Sequence, residues 1–181
     1  EVKNLPAQAI AFILILSFLI CLGTYPFSNA IFKLYNASGL LLDYSVSYYN
    51  IRIFGLPFTL YTFAVFGIFR GLQNTYHPML IAITGAVVNI ILDVMLVYGI
   101  ADLFPPLYLK GAAIASVLAQ FLMAALATYF LVKKTEIPLK LYGPINKEFP
   151  KFLNMIKHLI VRTLALNTAL YFAARFATGY G

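Results

Sequence analysis

Asn89 and Asp93 stand four residues apart inside the apolar stretch Ala82–Tyr98. On a helix that spacing puts both side chains on one face, with Gly85 one turn before them. The stretch is apolar enough to lie in a bilayer. A carboxylic acid is expensive there and is usually retained because it meets an ion, a proton or a substrate. Apolar surroundings favour the protonated form of a carboxyl group, so such a group takes up a proton and yields it when water or a cation arrives. Asn89 both donates and accepts, and so can serve either protonation state of its neighbour. Ser116, on the next apolar run, would add a hydroxyl oxygen, and Gln120 lies four residues beyond it. Carboxylate, amide oxygen and hydroxyl are also ligands for hard cations, so Na⁺ at Asp93 and Asn89 competes with H⁺ in this reading. The plainer alternative makes Asp93 a hydrogen bond between helices and Asn89 interhelical glue. Ser116 and Gln120 would then be a merely polar helix face.

The rest of the chain must hold that face in place. Of its 181 residues, 62% are hydrophobic and 10% charged, against about a quarter charged in a soluble domain. The chain is therefore read as integral to a membrane, with lipid as a partner. The net charge of +7 is concentrated in one segment between apolar runs, a pattern of membrane topology rather than of nucleic-acid binding. Cys21 is the only cysteine, so no intrachain disulfide forms. No cleavable leader is recognisable. A start at Glu1 without Met suggests a piece of a longer polypeptide.

Five apolar runs follow one another. Ile10–Phe32 is long enough for one span, and Pro26 inside it should bend the helix. Asn36–Val46 reads as a loop. Tyr49–Phe69 is rich in aromatic residues, with Arg52 near its start expected to snorkel to the interface. Arg70–Pro78 is a short polar turn in which His77 reads as a solvated interfacial residue. Such turns join antiparallel neighbours. Met79–Ile100 carries Asn89 and Asp93. Gly111–Val132 opens with small residues that let helix backbones approach closely. Lys133–Lys157 is a long Lys- and Pro-rich connection, and Leu159–Ala177 is a fifth run containing Arg162 and Arg175. The positive-inside bias puts the Lys-rich connection in the cytoplasm, and alternation then puts Arg70–Pro78 there too.

No soluble-enzyme constellation appears: no phosphate-cradling glycine loop, no metal-spaced His/Cys cluster and no paired carboxylates. The expectation is no enzyme, no metal and no cofactor other than a coupling ion.

Several motifs stand together in order. They are Ile53-Phe-Gly-Leu-Pro-Phe58, Phe69-Arg-Gly-Leu-Gln-Asn-Thr-Tyr-His-Pro78, Asn89-Ile-Ile-Leu-Asp93 with Tyr98-Gly99, and Lys110-Gly-Ala-Ala-Ile-Ala-Ser116. In that arrangement the chain resembles the multidrug and toxic compound extrusion (MATE) transporters, in their DinF-like branch. The resemblance implies an all-α, polytopic transmembrane bundle: part of the N-terminal six-helix lobe of a twelve-helix transporter. Residues 1–132 would be four spans of that lobe, 133–157 a cytoplasmic connection and 158–181 the first helix of the second lobe. The implied activity is exchange of H⁺ or Na⁺ for small organic compounds, often cationic or amphipathic, across the inner (plasma) membrane. The implied coupling site is Asp93, Asn89 and Ser116, where Ser116 replaces a Thr of the family pattern. Gln120 and Gly85 would line the cavity, and the remaining helices of the full-length transporter would complete it. Two alternatives stay open. One is a lipid-linked oligosaccharide flippase, which would want a cationic cavity. The other is a non-transporting scaffold, whose polar groups would all be paired.

Overall fold

The computed structural model describes residues 5–34, 38–99, 105–135 and 148–179. α1 (Leu5–Thr24) is apolar around its whole circumference and stops at Tyr25-Pro26-Phe27. Pro26 has no N–H to continue the ladder and disfavours helical geometry at Tyr25. The chain instead turns, with the Phe27 and Ser28 amides donating to the Thr24 and Tyr25 carbonyls, and restarts as α2 (Ser28–Leu34). Pro26 thus ends the first helix rather than bending it.

The segment expected to be a loop is helical from Gly39 onward. α3 (Gly39–Arg52) runs through a single 3₁₀ turn (Ile53–Gly55) into α4 (Leu56–Gly71), with Pro57 in the first turn of α4, where its missing N–H costs nothing. Together they make one rod of 33 residues, long and apolar enough to cross a membrane. Just beyond α4 the chain turns at Gln73, whose φ of 57° is left-handed; the Asn74 amide then donates back to the Phe69 carbonyl at 2.9 Å. That bond closes the helix end.

α5 (Tyr76–Tyr98) and α6 (Tyr108–Lys134) form an antiparallel hairpin, and each is also of membrane-spanning length. α7 (Phe149–Gly179) begins within the expected Lys133–Lys157 connection, and its first ring, Phe149, meets Phe12 of α1 edge-on at 6.0 Å. Residues 136–147 of that connection lie outside the described residues.

The core joins α1, α4, α5 and α6 through Ile10, Val65, Phe66, Phe69, Ile81 and Leu131. On α6 the buried positions are mostly Gly and Ala, which brings α5 close. One side-chain bond ties α4 to α6. Thr128 gives its hydroxyl hydrogen to the Ala124 carbonyl at 2.8 Å, so Tyr61 donates to Thr128 Oγ1 at 2.7 Å. Tyr61→Phe should therefore lower stability by about 0.6 kcal/mol, the average for such bonds in a membrane. An unfolding titration from mild detergent into dodecyl sulfate would read that loss.

Candidate functional site

Two close approaches set the register of the hairpin. Gly111 of α6 lies on the backbone of Leu96 in α5, and Gly85 of α5 lies under the side chain of Met123 in α6. Reading between these points, Asp93 stands within about one turn of the level of Ser116, and Asn89 within about one turn of the level of Gln120. Gln120 faces a third element: its Oε1 sits against Gly55, in the 3₁₀ turn between α3 and α4. Ser116, one turn before Gln120, lies on the flank of α6 between the stripe that meets α5 and the stripe that meets α3 and α4. The four polar residues named from the sequence therefore occupy two adjacent layers near the middle of the α5–α6 hairpin.

Most polar side chains in these helices look after themselves. Thr59, Thr62, Thr84 and Thr128 each donate to the carbonyl one turn back, and Ser17 does so three residues back. That device needs a short hydroxyl. Longer amides and carboxylates have no equivalent, and four such atoms among the described residues are buried with no hydrogen-bond partner: Asn50 Oδ1, Asn89 Nδ2, Asp93 Oδ1 and Gln120 Oε1. Each would cost about 1–3 kcal/mol if nothing ever paired with it. Asn89 offers a donor and Asp93 an acceptor one turn apart, yet the two do not bond each other.

The family model described as MatE matches residues 1–95 of the chain. The chain belongs to the MatE family. It is 32% identical over 141 residues to Protein DETOXIFICATION 43 of Arabidopsis thaliana, an overlap of 78% of this chain and 26% of that protein. It is 28% identical over 132 residues to the probable multidrug resistance protein NorM of Thermotoga maritima, covering 71% of this chain and 28% of that one. An inward-facing multidrug resistance MATE family transporter superposes with a TM-score of 0.74 at 23% identity, over 84% of this chain and 34% of that structure. The chain thus spans about a quarter to a third of the length of the relatives it matches.

Within this MatE fold, a cavity among the described residues lies elsewhere. It measures about 880 Å³ and opens between α1, α4 and α6, with Phe18, Cys21, Phe58, Tyr61, Phe121 and Thr128 among its walls. None of Gly85, Asn89, Asp93, Ser116 and Gln120 lines it. Gly85 is buried under Met123, where its lack of a side chain lets the hairpin close.

Two residues behave differently from their reading in the sequence. His77 is half-buried: it stacks on Phe69 at 5.3 Å, leans on Phe130 at 5.0 Å, and its Nδ1 bonds Asn74 Oδ1 at 3.0 Å. It braces the α4–α5 turn against α6. The other is Arg52, whose guanidinium lies back against the 3₁₀ turn that follows it. Its Nη1 lies 3.3 Å from the point where a side chain on Gly55 would begin, beside Gln120. A 3₁₀ turn eclipses residues three apart, which puts Arg52 and Gly55 on one face. The signal was in the sequence, as the Arg-Ile-Phe-Gly spacing, but it is legible only once that turn is known.

Proposed function

We propose that this chain belongs to an ion-coupled exporter of small organic compounds, often cationic or amphipathic, in the inner (plasma) membrane. Residues 1–132 would be four spans of its first lobe, 133–157 a cytoplasmic connection and 158–181 the start of the second lobe. One observation carries the reading: Asn89 and Asp93 hold buried, unpartnered polar atoms on one face of a membrane-length helix. Helix association rewards interhelical hydrogen bonds, so a scaffold built of these helices would pair them. A transporter has reason to leave them free for a proton, a sodium ion or the cargo. The Thermotoga maritima relative is a probable multidrug resistance protein, which points to drug export.

The chemistry follows from charge. With Asp93 ionised, the site attracts a cation, and the Asn89 amide and Ser116 hydroxyl complete an oxygen-and-amide shell. With Asp93 protonated or bound to Na⁺, the charge is cancelled and cationic cargo loses its attraction. The ion and the cargo thus compete for one carboxylate, which is the thermodynamic requirement for exchange. If the two ligands favour different tilts of the lobes, each shifts the population toward opposite openings.

The test is uptake of a fluorescent cation into everted vesicles that carry the full-length protein. A proton gradient and then a sodium gradient are imposed. Uptake that follows one gradient and collapses with the matching ionophore is the expected result. Uptake indifferent to both gradients would refute ion coupling.

A further inference from the structure

Arg52 is a permanent charge with five donors, set near the mid-depth of the hairpin beside Gln120, itself near the middle of α6. Among the described residues it forms no ion pair; the pair that does form, Lys151 with Glu148, is at the start of α7. Gln120 Oε1 lies against the same glycine and has no hydrogen-bond partner. An amide oxygen can solvate a guanidinium but cannot neutralise it, and a charge at membrane depth is costly without a counterion; among the described residues these helices supply none. Asn50 does not help, because residues two apart on a helix face different ways. Arg52 shares its face with Gly55, which meets α6 at Gln120. It therefore stands over the flank of α6 that carries Ser116 and Gln120, the flank whose α5 neighbours at the same levels are Asn89 and Asp93.

We propose that Arg52, with Gln120 beneath it, binds an oxyanion carried by the transported compound, so that the preferred cargo is zwitterionic, with its cationic group at Asp93 and its carboxylate or phosphate at Arg52. This rests on the exporter reading and narrows its substrate class. The two ends do different work. The cation competes with the coupling ion for Asp93, and the oxyanion supplies affinity that the coupling ion does not contest. Guanidinium suits this role because its planar fork grips a carboxylate or phosphate through two parallel bonds.

Rhodamine 110, which keeps a free carboxylate, and rhodamine 123, its methyl ester, form a matched pair of probes. Binding of each to the purified full-length transporter is followed by fluorescence anisotropy in neutral detergent, with transport measured in vesicles alongside. Wild type should bind the free acid more tightly than the ester. Arg52→Gln should weaken rhodamine 110 at least about tenfold more than rhodamine 123, the scale expected when one partner of a desolvated charge pair is removed. Arg52→Lys should keep part of the preference, and Gln120→Leu should erode it. These two variants carry the test if Arg52→Gln does not fold. Equal weakening of both dyes, or no change in either, would overturn the proposal. So would a preference that disappears when phosphatidylglycerol is added, because a lipid phosphate would then own Arg52. Arg52-dependent discrimination in binding without gradient-driven transport of either dye would sink the exporter reading and leave the oxyanion site standing.

Discussion

Asp93→Asn in the full-length transporter is expected to reduce gradient-driven efflux to the level of empty vesicles while leaving the protein folded and inserted. Asn copies the shape of Asp but cannot release a proton or hold a monovalent cation by charge. Competition between ion and cargo would vanish with the carboxylate. Folding should not suffer. Asp93 makes no hydrogen bond in the structure that the substitution would break, and Oδ1 is already unpartnered. A neutral amide is also cheaper than an ionisable acid in an apolar helix, so yield should equal or exceed wild type. Asn89→Leu removes only the neutral partner, so efflux should fall while its dependence on the gradient survives. Ser116→Ala should have the smallest effect of the three, because its hydroxyl is one neutral oxygen of the shell. Normal efflux by Asp93→Asn would reduce Asp93 to interhelical glue.

The same ranking shows what the residues alone could say. The Asn-x-x-x-Asp spacing, the small residues opening α6 and the lengths of the apolar runs all follow from helical periodicity, and the structure has helices where those signals are strongest. Periodicity fails where hydrophobicity is interrupted. Asn36-Ala-Ser-Gly39 and Asp43 made Asn36–Val46 look like a loop, yet Gly39 starts a helix that carries Asp43. Pro150 and the lysines hid the first turns of α7 in the same way. Pro26 was legible as a disturbance but not as a full stop, because its effect depends on whether a neighbour holds the helix on both sides.

For the site, the face could be read and its neighbours could not. Spacing puts Asn89 and Asp93 together on α5, but it is silent on which helix lies opposite, at what height, and with what missing partner. Gln120 was visible as a polar residue four after Ser116. Its contact with Gly55 and Arg52 depends on a 3₁₀ turn that no propensity announced. Gly85 likewise reads as open space on the polar face, and a flexible methionine from the next helix fills that space.

Gly111→Val should abolish accumulation of folded transporter, whereas Gly85→Ala should be much milder, although both sites are buried glycines of the same hairpin. The difference lies in what a new side chain would meet. At Gly111 it would run into the Leu96 carbonyl, within 2.6 Å of its carbon and 3.0 Å of the Val97 nitrogen. Those are backbone atoms, and the Leu96 oxygen is further held by the Leu107 amide at 3.0 Å. Nothing there can give except the distance between the helices, and overpacking of this kind costs about 1–3 kcal/mol, rising with branching at the β-carbon. At Gly85 the obstacle is the Cγ and Sδ of the Met123 side chain, which has three rotatable bonds and adapts to irregular space. Gly111→Ala should fall between the two. The readout is the monodisperse fraction by fluorescence-detected size-exclusion chromatography, followed by an unfolding titration on whatever survives. Wild-type accumulation of Gly111→Val would mean that the helices are not in close contact there. The stakes reach the site, because the contact at Gly111 fixes the height of α5 against α6. A shift of the hairpin by one residue would move Asp93 about 1.5 Å along Ser116 and change the oxygen shell on which coupling depends.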